Sequence, residues 1–195
     1  MGKIFYIMGK SASGKDTIYK ELIEKMPKFH SIVPYTTRPM REGEKDGVEY
    51  FFVDQERFDE MMDEEKIIEF RSYNTKCGIW TYFTADDGQV DLGRSDYLGI
   101  GTLDSFVKMK KYYGEDAVCP VYIQVEDGER LSRALKRERE QANPKYEEMC
   151  RRFIADQSDF SEENILRAGI WKRFQNIDLE TCVQEIVNYV KSMQQ

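Results

Sequence analysis

Near the N-terminus, Gly9-Lys10-Ser11-Ala12-Ser13-Gly14-Lys15-Asp16-Thr17 follows directly on the apolar run Ile4-Phe5-Tyr6-Ile7-Met8 and precedes an amphipathic run. The order is strand, glycine loop, helix. The loop fits the phosphate-cradling pattern G-x-x-x-x-G-K-[S/T] except at its last position, where Asp16 replaces the hydroxyl residue. Glycines let the backbone turn sharply and bring consecutive N–H groups up to phosphate oxygens. The helix behind them aims its unpaired N–H groups and positive dipole end at the same anion, and Lys15 adds a mobile full charge. The bare string turns up by chance in about one chain in twenty of this length, so its flanks carry the assignment. Ile18, Leu22, Ile23 and Met26 recur at helical spacing and supply the required apolar face. Gly9, Ser11, Ala12, Ser13, Gly14, Lys15, Asp16 and Thr17 are therefore assigned to a phosphate cradle.

A chain of 195 residues suits one domain with a full core and a small appended lobe. Its formal charge of −7 argues against a nucleic-acid polymer or an anionic membrane as the main partner. No apolar run is long enough to span a bilayer and no signal peptide is evident, so the expected location is the cytoplasm. Cys77, Cys119, Cys150 and Cys182 lie far apart and His30 is the single histidine. That composition speaks against a zinc site and for reduced, buried thiols.

Periodicity places a second strand at His30 to Val33 and an extended stretch through Pro34 and Pro39. It then gives an aromatic strand from Val48 to Val53 and a helix capped by Asp54 that carries Phe58, Met61 and Met62. Strands follow at Ile67 to Tyr73 and Gly78 to Thr84 around a turn at Asn74-Thr75-Lys76, and at Tyr97 to Gly101. After a helix from Leu103 to Tyr113 and a strand from Val118 to Val125 come two charged helices, 127–142 and 144–163. The second is opened by Asn143 and Pro144. A strand from Ile165 to Phe174 precedes a last helix opened by Asp178, on which Leu179, Cys182, Val183, Ile186, Val187 and Val190 form one core-facing stripe. The alternation implies an α/β fold, a mostly parallel sheet with helices on both faces. Trp80, Tyr82 and Phe83 read as core aromatics rather than a base-stacking platform.

Chemistry concentrates in a second segment. Arg38 and Arg41 place two planar cations, and Tyr50 one hydroxyl, around a compact anion such as a monophosphate. The plainer alternative is a solvated Arg/Glu turn whose ion pairs are worth little. The run from Thr36 to Val53 resembles the acceptor motif of guanylate kinases, T-T-R-x-x-R-x-G-E-x-x-G-x-x-Y-x-F-V, with every fixed residue in register. The resemblance covers nearly the whole chain. It implies a P-loop nucleoside triphosphate hydrolase-type parallel sheet flanked by helices, with an inserted strand-rich acceptor-binding lobe and a helical lid. The single domain would divide into a core of about 1–33, 93–126 and 164–195, an acceptor lobe of about 34–92 and a lid of about 127–163. The implied substrates are ATP, with Mg²⁺, and GMP, and the expected assembly is a monomer or weak homodimer.

On the same resemblance, Arg38, Arg41 and Tyr50 hold the acceptor phosphate, Glu44 belongs with them to the substrate-binding set, and Glu69 accepts hydrogen bonds from guanine. Lys15 serves the ATP phosphates, and Arg137, Arg139 and Arg152 of the lid neutralise the transferring group, with Arg38 joining them as a catalytic cation. Asn176 matches a position near the adenine. Three departures stand out. Asp16 replaces the hydroxyl expected on Mg²⁺ and is a candidate metal ligand or a repulsive charge. Gly99-Ile100-Gly101 replaces an acidic D-x-D strand end. Pro34 stands where a base-reading serine is common, and the usual Y-G-S/T stretch is replaced near Cys77-Gly78-Ile79-Trp80-Thr81-Tyr82. Two alternatives to a GMP kinase therefore stay open: a ribose-bisphosphate-type sugar-phosphate kinase, whose members resemble this chain in carrying G-K-D in the loop, and an inactive binding module.

Overall fold

The computed structural model describes residues 1–75 and 78–194. The elements in chain order are β1 (Ile4–Gly9), α1 (Lys15–Lys25), β2 (His30–Ser31), β3 (Tyr35–Thr36), β4 (Phe51–Phe52), α2 (Gln55–Asp63), β5 (Ile67–Thr75) and β6 (Gly78–Ala85). They continue as β7 (Tyr97–Gly101), α3 (Leu103–Tyr113), β8 (Val118–Gln124), α4 (Asp127–Arg139), α5 (Tyr146–Asp159), α6 (Glu162–Arg167), β9 (Arg173–Gln175) and α7 (Leu179–Met193).

Every residue of β1 is buried, as a run without polar alternation requires of a strand covered on both faces. It lies at the centre of a five-stranded sheet of order β2-β7-β1-β8-β9, all pairs parallel. Alternate side chains feed two cores. Ile4, Tyr6 and Met8 pack with Phe106 and Met109 of α3 and Ile165 of α6, while Phe5 and Ile7 pack with Ile18 and Leu22 of α1 and the apolar stripe of α7. Each large side chain removed from water contributes about 1.5–3 kcal/mol, so β1 and the loop at its carboxyl end are held firmly. Ligands of open parallel sheets bind at that end. A second sheet, order β4-β3-β6-β5, packs Phe83 and Ala85 against Phe58 and Met61 of α2.

Several boundaries differ from the sequence reading. The strand expected over Ile165 to Phe174 is confined to β9. Ile165 lies instead in α6, opened by Ser161, which accepts from the Asn164 N–H, and ended at Gly169 with φ +76°. The helix expected over 144–163 is thus α5 plus the start of α6. It begins at Tyr146 rather than at Pro144, after the Glu138 carboxylate takes the Lys145 N–H. Asn74 and Thr75 belong to β5 rather than to a turn, and Lys76 and Cys77 lie outside the described residues. Ile23 and Met62 are exposed, not core. Among the described residues, no helix is long and apolar enough to cross a membrane, and Cys119, Cys150 and Cys182 are free.

Candidate active site

The glycine loop turns at the end of β1 in a conformation its residue types dictate. Gly14 has φ +83°, and a Cβ there would meet Asn176 Nδ2 at 2.4 Å. A Cβ at Gly9 would sit 2.7 Å from both the Ile123 carbonyl oxygen and Ser13 Oγ. The Asn176 amide braces the loop by donating to the Ser13 carbonyl at 2.8 Å. Ser13 Oγ is buried without a hydrogen-bond partner. Buried hydroxyls are seldom left so. A cradle that only glycine allows, an orphaned hydroxyl and Lys15 at the first position of α1 together fit a chain of phosphates.

Lys15 Nζ lies 3.2 Å from Asp16 Oδ2, and the Asp16 side chain is 77 % exposed. Partial desolvation opposes ionisation of Asp16, but Lys15, the local N–H and Arg137 outweigh it and hold the carboxyl below its ordinary range. Among the described residues no group of three or more His, Cys, Asp or Glu side chains is placed to hold a metal. Mg²⁺ commonly takes one or two carboxylates and completes its shell with phosphate oxygens and water. Asp16 fits that role.

The α4–α5 helix pair is tied to the loop. Arg130 on α4 is buried, bonding Asp127 Oδ1 at 2.8 Å through Nη2 and the Ser11 carbonyl at 2.9 Å through Nη1. Asp156 on α5 accepts from the Ser11 N–H at 2.7 Å, and Arg152, one turn earlier, donates to Ser11 Oγ at 3.4 Å. Arg137 acts on Asp16 through its charge. Arg139 does not join them: nine residues beyond Arg130 it falls about half a turn round the helix, on an exposed flank with Ser132, Lys136 and Glu140. Of the three arginines expected here, Arg152 contacts the loop, through Ser11 Oγ.

In the acceptor segment the Arg38 side chain is 3 % exposed and its guanidinium is gripped bidentately by Glu44, Nη2–Oε1 2.8 Å and Nη1–Oε2 3.0 Å. It lies 5.6 Å from the Tyr50 ring centroid and 5.5 Å from that of Phe52. Arg38 Nε is buried with no partner. Glu44 also accepts from the Arg41 N–H at 2.7 Å, which fixes the turn. Glu44 thus contacts Arg38 and the Arg41 backbone, while Arg41 presents an exposed cation. Burial raises the Tyr50 hydroxyl above its ordinary range, with smaller contributions from Tyr82 and Asp16.

The surroundings of Glu69 contain more than sequence indicated. Glu69, with a side chain 1 % exposed, accepts from Thr84 Oγ1 at 2.9 Å and pairs with Arg71 Nη1 at 3.3 Å. The same Arg71 nitrogen bonds Thr102 Oγ1 at 3.3 Å and also Ser105 Oγ. Across from it, Tyr6 fills the space that side chains at 99 and 101 would need: a Cβ at Gly101 would meet Tyr6 OH at 2.2 Å. Thr84 supplies the hydroxyl beside Glu69. Phe83 is core, and Tyr82 stands edge-on to Tyr50. Arg71 was legible only as the same-face neighbour two residues beyond Glu69.

The family model described as guanylate kinase matches residues 1–165. A guanylate kinase of Legionella pneumophila (strain Paris) is 44 % identical over 68 residues, 35 % of this chain and 32 % of that protein. One of Mycobacterium tuberculosis (strain CDC 1551 / Oshkosh) is 40 % identical over 70 residues, 36 % of this chain and 34 % of that protein. The matched part of the chain thus spans about a third of the length of these curated relatives. The crystal structure of guanylate kinase from Anaplasma phagocytophilum superposes with a TM-score of 0.67 at 22 % identity, covering 99 % of this chain and 86 % of that one. At that identity the likeness speaks to the fold.

Proposed function

The chain belongs to the guanylate kinase family, and from that premise we propose that it transfers the γ-phosphoryl group of ATP to GMP, giving ADP and GDP. The observation that carries the proposal is the presence of two anion cradles in one chain. One is the glycine loop with its orphaned Ser13 hydroxyl and Lys15; the other is the buried Arg38, held by Glu44 and flanked by Tyr50.

In this reading Lys15 and the loop N–H groups at the start of α1 bind the ATP phosphates, while Arg38, Arg41 and Tyr50 hold the GMP phosphate as nucleophile. Arg137 and Arg152 neutralise charge on the group in transit, and the α4–α5 lid limits water. Mg²⁺, held by Asp16 and the phosphates, would supply further neutralisation and alignment. Phosphoryl transfer needs positioning and charge stabilisation more than covalent help, so no general base is assigned. Binding both phosphates in line removes most of the entropic cost of their encounter.

A sugar bisphosphate is the second reading. Arg71 favours it, because another cation in the acceptor pocket suits another phosphate; its pairing with the buried Glu69 weighs against it. A coupled ADP-release assay with GMP, AMP, UMP and ribose 1,5-bisphosphate separates the two. GMP is expected to be turned over fastest, and turnover of the sugar bisphosphate alone would overturn the proposal. No ATP binding by calorimetry would select an inactive binding module.

A further inference from the structure

The departures in the acceptor pocket share one chemical consequence. With glycine at 99 and 101 and the Tyr6 ring packed over both, that end of β7 offers no polar side chain to a base. The charged groups here are Glu69 and Arg71. Glu69 keeps acceptor capacity: each carboxylate oxygen has two lone-pair sites, and one apiece is taken, by Thr84 and by Arg71. Arg71 keeps donor capacity. Its hydrogen bonds among the described residues all run through Nη1, and its side chain is 19 % exposed, so Nε and Nη2 have no partner there. Thr102 and Ser105, joined in the capping box that opens α3, fix the guanidinium at the boundary between lobe and core.

We propose that Arg71 is a specificity-determining residue that donates to the 6-oxo group of a purine while Glu69 accepts from the adjacent N1–H. This rests on the reading of the site as a nucleoside monophosphate acceptor pocket and names the edge by which the base is read. A carboxylate beside a guanidinium presents acceptor next to donor, and a 6-oxopurine presents the complement, N1–H beside O6. Adenine has the opposite pattern at these atoms, an N1 acceptor and an N6 amino donor, and would set lone pair against carboxylate and amine against guanidinium. Such mismatching of buried polar groups is heavily disfavoured. The pair as a whole is neutral, so it suits a neutral polar edge rather than a second phosphate. Because O6 and N1–H carry the recognition, inosine monophosphate, which has both and lacks the 2-amino group, is a substrate too.

The test measures kcat and KM for GMP, IMP and AMP with the full chain and its Arg71→Gln and Arg71→Lys variants. The unaltered protein should phosphorylate GMP and IMP within about tenfold of each other and AMP far more slowly. Arg71→Gln should lower kcat/KM for GMP and IMP alike by about tenfold or more, chiefly through KM, and should not lower that for AMP. Arg71→Lys, which keeps the charge beside Glu69 but loses the planar fork, should recover part of the loss. Where Arg71→Gln does not fold, Arg71→Lys alone decides the matter by a smaller fall in the GMP-to-AMP ratio. A ratio unchanged in the folded variants, a loss shared equally by all three acceptors, or rejection of IMP overturns the role of Arg71 while leaving GMP kinase activity standing. Failure of the unaltered protein to use either GMP or IMP, or its use of ribose 1,5-bisphosphate instead, overturns the acceptor reading and this inference with it.

Discussion

Replacing Glu44 with alanine is the perturbation whose cost follows most directly from the geometry. Glu44 provides two acceptors for Arg38, at 2.8 and 3.0 Å, beside the Pro39 carbonyl at 2.7 Å, and one for the Arg41 N–H at 2.7 Å. The Arg38 side chain is 3 % exposed and cannot turn to water, so deleting the carboxylate leaves a buried guanidinium without its counter-charge, held by the Pro39 carbonyl alone and with Nε already unpartnered. Breaking a buried pair by removing one partner costs about 3–5 kcal/mol, and because Glu44 itself retains 18 % exposure the lower end, about 3 kcal/mol, applies. A domain of this size loses about 2–4 °C of Tm per kcal/mol, so Glu44→Ala should melt about 6–12 °C lower by circular dichroism. The loosened Arg38 should also raise KM for GMP about tenfold or more with a smaller change in kcat. A double-mutant cycle with Arg38→Ala should show coupling between the two sites. A Tm within about 2 °C of the unaltered protein, or additive effects in the cycle, would refute the view that Glu44 holds Arg38 in place.

Asp16→Ser should shift the Mg²⁺ concentration giving half-maximal turnover by about tenfold or more; an untouched metal requirement removes Asp16 from the ligands. Arg137→Ala should lower kcat by about 100-fold or more, whereas Arg139→Ala, on the other flank of α4, should stay within about twofold, as steady-state kinetics will show. The Glu44 carboxyl is held below its ordinary value of 4.5, first by the hydrogen bond from Arg38, against partial desolvation. Its contribution to stability is therefore fully present above pH 4.5 and fades as pH falls through the lower folded-state value. Urea midpoints should fall more steeply below that pH for the unaltered protein than for Glu44→Gln.

The parts of the fold readable in the sequence were those where one period runs long enough to exclude the other. The β1 run and the α7 stripe needed no tertiary information, and Cys182, Val183, Ile186, Val187 and Val190 are all buried. Ile165 was misread because a short apolar stretch suits strand or helix alike, and its choice is made by Ser161 capping and by contacts with Phe106 and Met109 far away in sequence. Motif spacing singled out Arg38 and Glu69 as candidates but carried no information on what grips them. Across a β5–β6 hairpin of unknown length, counting residues missed that Thr84 faces Glu69. The Arg71 contacts to Thr102 and Ser105 join segments more than thirty positions apart and exist only in the folded chain. Arg139 shows the opposite failure, a plausible residue type that helical geometry turns away from the loop.

The central claim is that the two anion cradles serve one transfer. Incubation of the full chain with γ-labelled ATP, GMP and Mg²⁺, followed by separation of the nucleotides, tests it directly. The label should appear in the β-phosphate of GDP in an amount equal to the ADP formed. Label recovered as inorganic phosphate, or retained in ATP while GMP stays unchanged, would contradict it.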